Sequence, residues 1–250
     1  MVKNLPVIEL YSAIQAEGKY TGIPHIIVRT TGCPMRCSFG NSICDSWYTS
    51  WIPEKAKITE DKIYEFYANN FHIKYTMITG GEPTMHPDIL NLLVNIAKKF
   101  DHFVTIETAG IFFVKTNADF ISISPKLKSS VPKIHSKHIL GGKEIEVTSQ
   151  MVKRHEDLRL NLREMKDMVY NHLDYQIKPV ISNIEKDIPE IEELIDFLGV
   201  PRSKVYLMPA GSTSEELKLI RKDLIEFCVK EGYNYTDRIH IVAFGNERYR

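Results

Sequence analysis

The chain has 250 residues, 43% of them hydrophobic and 26% charged. That length supports a sizeable core and suits one large α/β domain spanning 1–250. Its 32 Lys and Arg balance 32 Asp and Glu, which argues against a chain that holds nucleic acid by bulk charge.

Three of the four cysteines are bunched between positions 33 and 44. That is not a disulfide framework, so a reducing cytoplasm is the expected setting. The opening MVKNLPVIELYS carries no long apolar core of a signal peptide. No stretch approaches the ~18 apolar residues of a membrane span, so no membrane contact is expected.

Taken in order, the chain alternates strand-like and helix-like patterns. HIIVR (25–29) is a short apolar run that feeds the cysteines. Residues 59–70 read as a helix, with Thr59 as N-cap and acids in the first turn. KYTMITG (74–80) reads as a buried strand. Residues 87–100 read as a helix with Pro87 at its start and apolar residues at helical spacing. HFVTIET (102–108) and DFISIS (119–124) are strand-like. Residues 125–149 read as an irregular loop, functional or mobile. Residues 150–172 read as one polar helix, 175–181 as a strand, 188–199 as a helix closed by Gly199, 204–210 as a strand and 212–232 as a helix. RIHIVAF (238–244) reads as the last strand.

Such alternation predicts an α/β fold with about six or seven mostly parallel strands, curled into a partial or complete barrel. In such folds the chemistry sits at the C-terminal ends of the strands. Cys33 follows the first run, Gly80 to Pro83 the second, Glu107 ends the third, and Ser124 to Lys126 follow the fourth. One mouth is expected to collect them all.

The stretch RTTGCPMRCSFGNSICDSW (29–47) is the most specific. Cys33, Cys37 and Cys44 are spaced C-x3-C-x6-C, with no His or fourth Cys among them. Three thiolates can hold three irons of a cubane and leave the fourth iron open. The cysteines alone fit equally a structural zinc loop with a distant ligand, or buried free thiols. Thr79-Gly80-Gly81-Glu82-Pro83 is a strand-end glycine pair. Its glycines permit positive φ and let the backbone approach a ligand closely. Taken alone it is an ordinary tight turn.

The ordered motifs resemble the radical S-adenosylmethionine (SAM) superfamily and, within it, the 7-carboxy-7-deazaguanine synthase family. They are Ser12 to Gly18, Gly22-Ile23-Pro24, Val28-Arg29, Gly32-Cys33, Arg36-Cys37, Cys44-Asp45-Ser46, Thr79 to Pro83, Glu107 to Gly110 and Ser124-Pro125-Lys126. The run from Gln15 to Asp45 is the narrow part, whereas Gly80 to Pro83 marks only the superfamily. The superfamily spacing is C-x3-C-x2-C, so the loop at 31–50 is enlarged by four residues, Gly40 to Ile43. Ala16, Ser46 and Ala109 replace the family's usual Gly, Thr and Asn. Its short C-terminal tail is echoed only loosely by Phe244-Gly245 and Arg248.

The resemblance implies a partial (β/α) barrel with an N-terminal substrate segment over 1–24. It implies a 4Fe-4S cluster on Cys33, Cys37 and Cys44, with SAM on the open iron and held by Gly80, Gly81, Glu82, Glu107, Ser124 and Lys126. A Mg²⁺ ion is implied at Ser46, whose hydroxyl is a hard oxygen ligand. The implied substrate is 6-carboxy-5,6,7,8-tetrahydropterin, contracted to 7-carboxy-7-deazaguanine with loss of ammonia. Ile14, Gln15, Ala16, Glu17, Arg29, Thr79 and His240 are the implied substrate contacts. Gln15 and Glu17 suit a pterin edge. Arg29 suits a carboxylate, and a structural ion pair is its other reading. A flavodoxin- or ferredoxin-type electron donor and a homodimer are implied as well, and no nucleic acid. A glycyl-radical activating enzyme would share the cluster and Gly80 to Pro83 but not Gln15 and Glu17. A zinc-stapled binding protein is the non-enzymatic alternative. Cys228 shares a helical stripe with Leu217, Ile220, Leu224 and Phe227, so it reads as a small buried apolar residue. His135 and His138 read as solvent-facing.

Overall fold

The computed structural model describes residues 4–39 and 42–250. A six-stranded sheet organises them. Strand β1 (Val7–Ile14) pairs antiparallel with β2 (Pro24–Thr30). The order then runs in parallel through β3 (Tyr75–Gly80), β4 (Phe103–Thr108), β5 (Phe120–Ile123) and β6 (Tyr175–Ile177). A bridge from Ile177 to Val205 carries the sheet on to β7 (Tyr206–Pro209) and β8 (Asn234–Tyr235). The two ends approach each other. Gly18 N donates to Thr236 Oγ1 at 2.6 Å, and Ile239 N donates to Ala16 O at 3.2 Å. The result is the partial barrel expected.

The helices form where local chemistry dictates. α1 (Glu60–Asn69) is capped by Thr59 accepting from Lys62 N. α2 (Pro87–Lys99) has Pro87 in its first turn and Lys98 and Lys99 in its last, and it buries Leu90, Leu93, Val94, Ile96 and Ala97. α3 is Ser149–Leu158, α4 is Leu162–Asn171, and α5 (Ile184–Leu198) ends at Gly199 with φ 68°. α6 (Ser214–Glu231) follows Thr213 as cap. α7 is the short Ile239–Phe244. Their apolar faces and the strands share one core that includes Val28, Ile78, Ile106, Ile121, Leu194 and Leu224.

Several expectations need correcting. The segment 238–244 is not a strand: Ile239 to Phe244 is helical, and the edge strand is the two-residue β8 before it. Six residues of mostly apolar sequence carry no period that separates helix from strand. The polar helix over 150–172 is two helices, broken around Leu160 and restarting after Asn161. The region 125–149 contains a hairpin, Lys137–Leu140 against Lys143–Glu146, turned by Gly141 and Gly142. It seats Leu140 and Val147 on Trp51. His138 therefore lies half-buried, edge-on to Trp51, while His135 is exposed beside Glu146. The strand at 175–181 is split after Ile177, with Pro179 between the pieces. β1 was not expected, and neither was the helical start of α5 at Ile184. Among the described residues, no helix is long and apolar enough to cross a membrane.

Candidate active site

One cavity opens at the C-terminal ends of the parallel strands. It gathers every expected site residue except Glu82. The first wall is the cysteine loop. Gly32 N donates to Thr49 O at 2.8 Å, and Cys44 N donates to Cys37 O at 3.1 Å. The second bond joins the two ends of the enlargement. Between them Ser38–Phe39 pairs antiparallel with Ser42–Ile43, so the enlargement is a small hairpin. Gly40 and Asn41, between these two pieces in the sequence, lie outside the described residues. Ser42 Oγ donates to the Glu216 carboxylate at 3.1 Å and ties the hairpin to the start of α6.

Cys33, Cys37 and Cys44 pack with Met35, Phe39, Ala109, Ile111 and Leu158. Burial pushes the Cys33 thiol up to about 12 and Cys44 up to about 11, and it raises Cys37 as well. These thiols are neutral at pH 7, so metal binding must release their protons. The donor set fits a cluster: three thiols on one cavity wall, in an apolar shell, with no fourth cysteine beside them. Among the described residues no three His, Cys, Asp or Glu side chains converge to hold a single metal ion. Cys228 is buried on α6 outside the cavity.

The second wall is the end of β3. Gly80 has φ 145°, and a Cβ there would meet Thr30 N at 2.5 Å. A Cβ on Gly81 would meet Gly32 O at 2.1 Å. Both glycines are required so that the β3 end can lie against the cysteine loop. The N–H groups of Gly81 and Glu82 are spent on Thr30 O and Gly32 O, so neither is a free donor to a ligand. Glu82 is also corrected. It is fully buried, and its carboxylate accepts from Thr84 N and Oγ1, Thr108 Oγ1 and Ala109 N, all within 3.1 Å. Four internal bonds leave it no reach into the cavity. It is a brace between the ends of β3 and β4.

The third wall carries Glu107, Ser124 and Lys126. Lys126 Nζ donates to Ser124 O and Oγ at 2.8 and 2.7 Å. Glu107 Oε1 is buried without a protein partner, an acceptor aimed at nothing the chain supplies. That fits a ligand with hydroxyl or amino donors.

The fourth wall is the turn after β1 with its surroundings. Gln15 is buried, donating to Met77 Sδ and accepting from Ala16 N at 2.8 Å. Ile14 and Thr79 complete the lining there. Glu17 is held by Lys178 at 2.5 Å and Arg238 at 3.1 Å. Burial alone would raise the Glu17 carboxyl, but Lys178 and Arg238 outweigh it and hold the group well below the usual carboxylate range. Asp45 pairs with Arg238, and despite burial this cation lowers its carboxyl to about 2. His240 survives its change of element: α7 still lines the cavity, and its Nδ1 has no partner. Burial lowers its pKa, so the ring is neutral near pH 7.

Arg29 and Glu9 face each other across β1 and β2, and Arg29 Nε donates to Glu9 Oε2 at 2.6 Å. The register shift between Val7 and Glu9 is a bulge at Ile8. Arg29 Nη1 and Nη2 lie 3.2 Å from Ser46 Oγ and Tyr11 OH. The ion pair therefore occupies one edge of the guanidinium and leaves the other lining the cavity. Sequence reasoning missed Glu9, Lys178, Arg238 and Asp45 as members of this wall. The available signal was a lone Lys in the apolar run YQIKPVI, at a strand end before Pro179.

Residues 27–140 match the radical SAM superfamily model. The chain is 33% identical over 245 residues to the 7-carboxy-7-deazaguanine synthase of Rhodopirellula baltica, covering 98% of this chain and 88% of that protein. It is 33% identical over 248 residues to the enzyme of the same name from Halobacterium salinarum, covering 97% and 91%. A crystal structure of QueE from Escherichia coli superposes with a TM-score of 0.58 over 93% of this chain and 92% of that one, at 23% identity. That likeness is one of fold.

Proposed function

Because the chain belongs to the 7-carboxy-7-deazaguanine synthase family of radical SAM enzymes, we propose that this cavity converts 6-carboxy-5,6,7,8-tetrahydropterin to 7-carboxy-7-deazaguanine. The observation that carries the reading is the shared cavity, whose lining includes three thiols together with an arginine, an amide and a carboxylate. When bound, the cluster and SAM supply a 5′-deoxyadenosyl radical that takes one hydrogen atom from the substrate.

The chain's residues hold and orient. Cys33, Cys37 and Cys44 hold the cluster. Glu107, Ser124 and Lys126 hold SAM beside Gly80 and Gly81, and Thr79 lines the substrate side. Glu17, kept anionic by Lys178 and Arg238, accepts from the pterin's N–H edge, and Gln15 reads it alongside. The Nη edge of Arg29, which otherwise contacts Ser46 Oγ and Tyr11 OH, takes the substrate carboxylate by charge-assisted bonds. His240 closes the site from α7. Holding the substrate in one orientation turns radical transfer into an effectively unimolecular step. Ser46 would give a Mg²⁺ ion one hydroxyl oxygen, a hard ligand of the kind this ion prefers. Arg29 then yields its contact with Ser46 Oγ. A one-electron donor of the flavodoxin or ferredoxin type, a cytoplasmic setting and a homodimer belong to the same reading.

The test is anaerobic. Purified protein is reconstituted with iron and sulfide, reduced, and given SAM and the carboxylated tetrahydropterin. Mass spectrometry is expected to find 7-carboxy-7-deazaguanine. Cluster-loaded protein that cleaves SAM but forms none of it overturns the assignment.

A further inference from the structure

Lys178 is the one lysine of the cavity wall that is almost wholly buried, its side chain 3% exposed. Its N–H donates to Ile123 O at 2.7 Å, which fixes its backbone at the end of β5. A buried ammonium is tolerated only when paired. Lys178 is paired twice: Nζ lies 2.5 Å from Glu17 Oε2 and 3.1 Å from Glu107 Oε2. The other oxygens differ. Glu17 Oε1 accepts from Arg238 Nε, whereas Glu107 Oε1 has no protein partner. Two carboxylates this close would repel, and one would take up a proton. A cation between them lets both stay ionised.

We propose that Lys178 is a positioning residue that shares one ammonium between Glu17 and Glu107 and so couples the pterin end of the cavity to the SAM end. The inference rests on the roles assigned above to those two carboxylates. The groups facing Glu17 come from several elements: Lys178 after β6, Arg238 and His240 at α7, and Asp45 from the cysteine loop. Without Lys178, Glu17 keeps one direct ion pair, and burial pulls its pKa upward. Glu107 keeps none.

The experiment compares Lys178→Met and Lys178→Arg with wild type at equal iron content. Lys178→Met is expected to raise KM for both the pterin and SAM by about tenfold or more, as loss of a buried charge partner does. Pterin turnover in Lys178→Met should fall off on the acid side at higher pH than in wild type, because burial raises the Glu17 pKa once one of its two cations is gone. Substrate-free SAM cleavage should show the same rise in SAM KM, with a smaller change in its kcat, since the three cysteines are unchanged. Lys178→Arg keeps the charge but not the ammonium's shape, so its acid limb stays put while both KM values remain raised. Wild-type KM values and pH profile in Lys178→Met overturn the proposal. If Lys178→Met takes up no iron, Lys178→Arg decides: wild-type KM values overturn it, and raised ones at wild-type iron content support it. A wild type that makes no deazaguanine overturns the assigned reaction instead, and the SAM KM in uncoupled cleavage still tests the Glu107 half.

Discussion

The Nε of Arg29 donates to the fully buried carboxylate of Glu9 at 2.6 Å, between directly opposed residues of an antiparallel strand pair. Arg29 is thus both a structural ion pair and a cavity group. The pair sets the plane of the guanidinium, and its Nη atoms remain at the cavity. Losing a charge-assisted bidentate contact with a buried partner costs about 2–5 kcal/mol. Arg29→Ala should lower pterin-dependent turnover well over tenfold. Uncoupled SAM cleavage on the same preparation should survive. If both fall together, Arg29 serves the fold alone. If neither falls, the substrate carboxylate lies elsewhere.

The cysteines make a separable prediction. Cys33→Ala, Cys37→Ala and Cys44→Ala should each lose the brown chromophore or hold an inactive, damaged cluster. Iron and sulfide analysis with turnover checks this, and full activity of Cys44→Ala removes it from the ligand set. Cys228→Ala should keep iron content and turnover, with a modest loss of stability, because Cys228 is buried at 3% exposure outside the cavity.

Much of this site is legible in the chain because a parallel sheet places every strand end at one mouth. Cys33, Gly80, Glu107 and Ser124 need only a correct order of strands to meet, and they do meet. The ion pairs were not legible. Arg238 reaches Glu17 across 221 residues, and the Glu9–Arg29 pairing depends on a bulge. No local pattern encodes such registers. Glu82 misled for the opposite reason. A buried carboxylate beside two glycines reads as a ligand, and its bonds to Thr108 and Ala109 are visible only once β4 is placed beside β3. The strand assigned to 238–244 failed because a six-residue apolar run has no decisive period.

Mg²⁺ should act through Ser46. Removing divalent ions should slow turnover without stripping iron, since hard oxygen ligands and thiolates select different metals. Ser46→Ala should blunt the response to added Mg²⁺. A wild-type response in that variant places the ion elsewhere.

His155 gives a pH prediction for stability. It is fully buried, with Nε2 3.0 Å from Ser130 Oγ. Burial, with Lys126 nearby, lowers its pKa from 6.5 to about 4. The unfolded chain therefore binds the extra proton first as pH falls. Stability from this group is complete above the unfolded value and is lost between pH 6.5 and about 4. At one pKa unit per about 1.4 kcal/mol, the loss from pH 7 to pH 5 is about 2 kcal/mol. Denaturant unfolding of the metal-free protein at the two pH values measures it. His155→Gln should flatten the difference, and an unchanged slope assigns the acid sensitivity to other groups.

Arg248 is the last test, because it joins the tail to the substrate wall. It donates from Nε to Glu9 Oε1 at 2.7 Å and from Nη1 to Glu54 Oε1 at 2.7 Å, and its guanidinium lies 3.8 Å from the centre of the Tyr48 ring. Tyr249 meets Tyr11 edge-on at 5.4 Å, and Tyr11 OH is the partner of Arg29 Nη2. Two contacts from the tail therefore converge on the residues that set Arg29. In Arg248→Ala, Glu9 keeps only Arg29 as a cation, and the guanidinium plane loosens. The pterin KM should rise several-fold, while iron content, SAM KM and uncoupled cleavage stay as in wild type. Arg248→Lys should restore little, since an ammonium cannot span Glu9 and Glu54 while stacking on Tyr48. An unchanged pterin KM in Arg248→Ala would show that Glu9 and the bulge at Ile8 hold Arg29 without the tail.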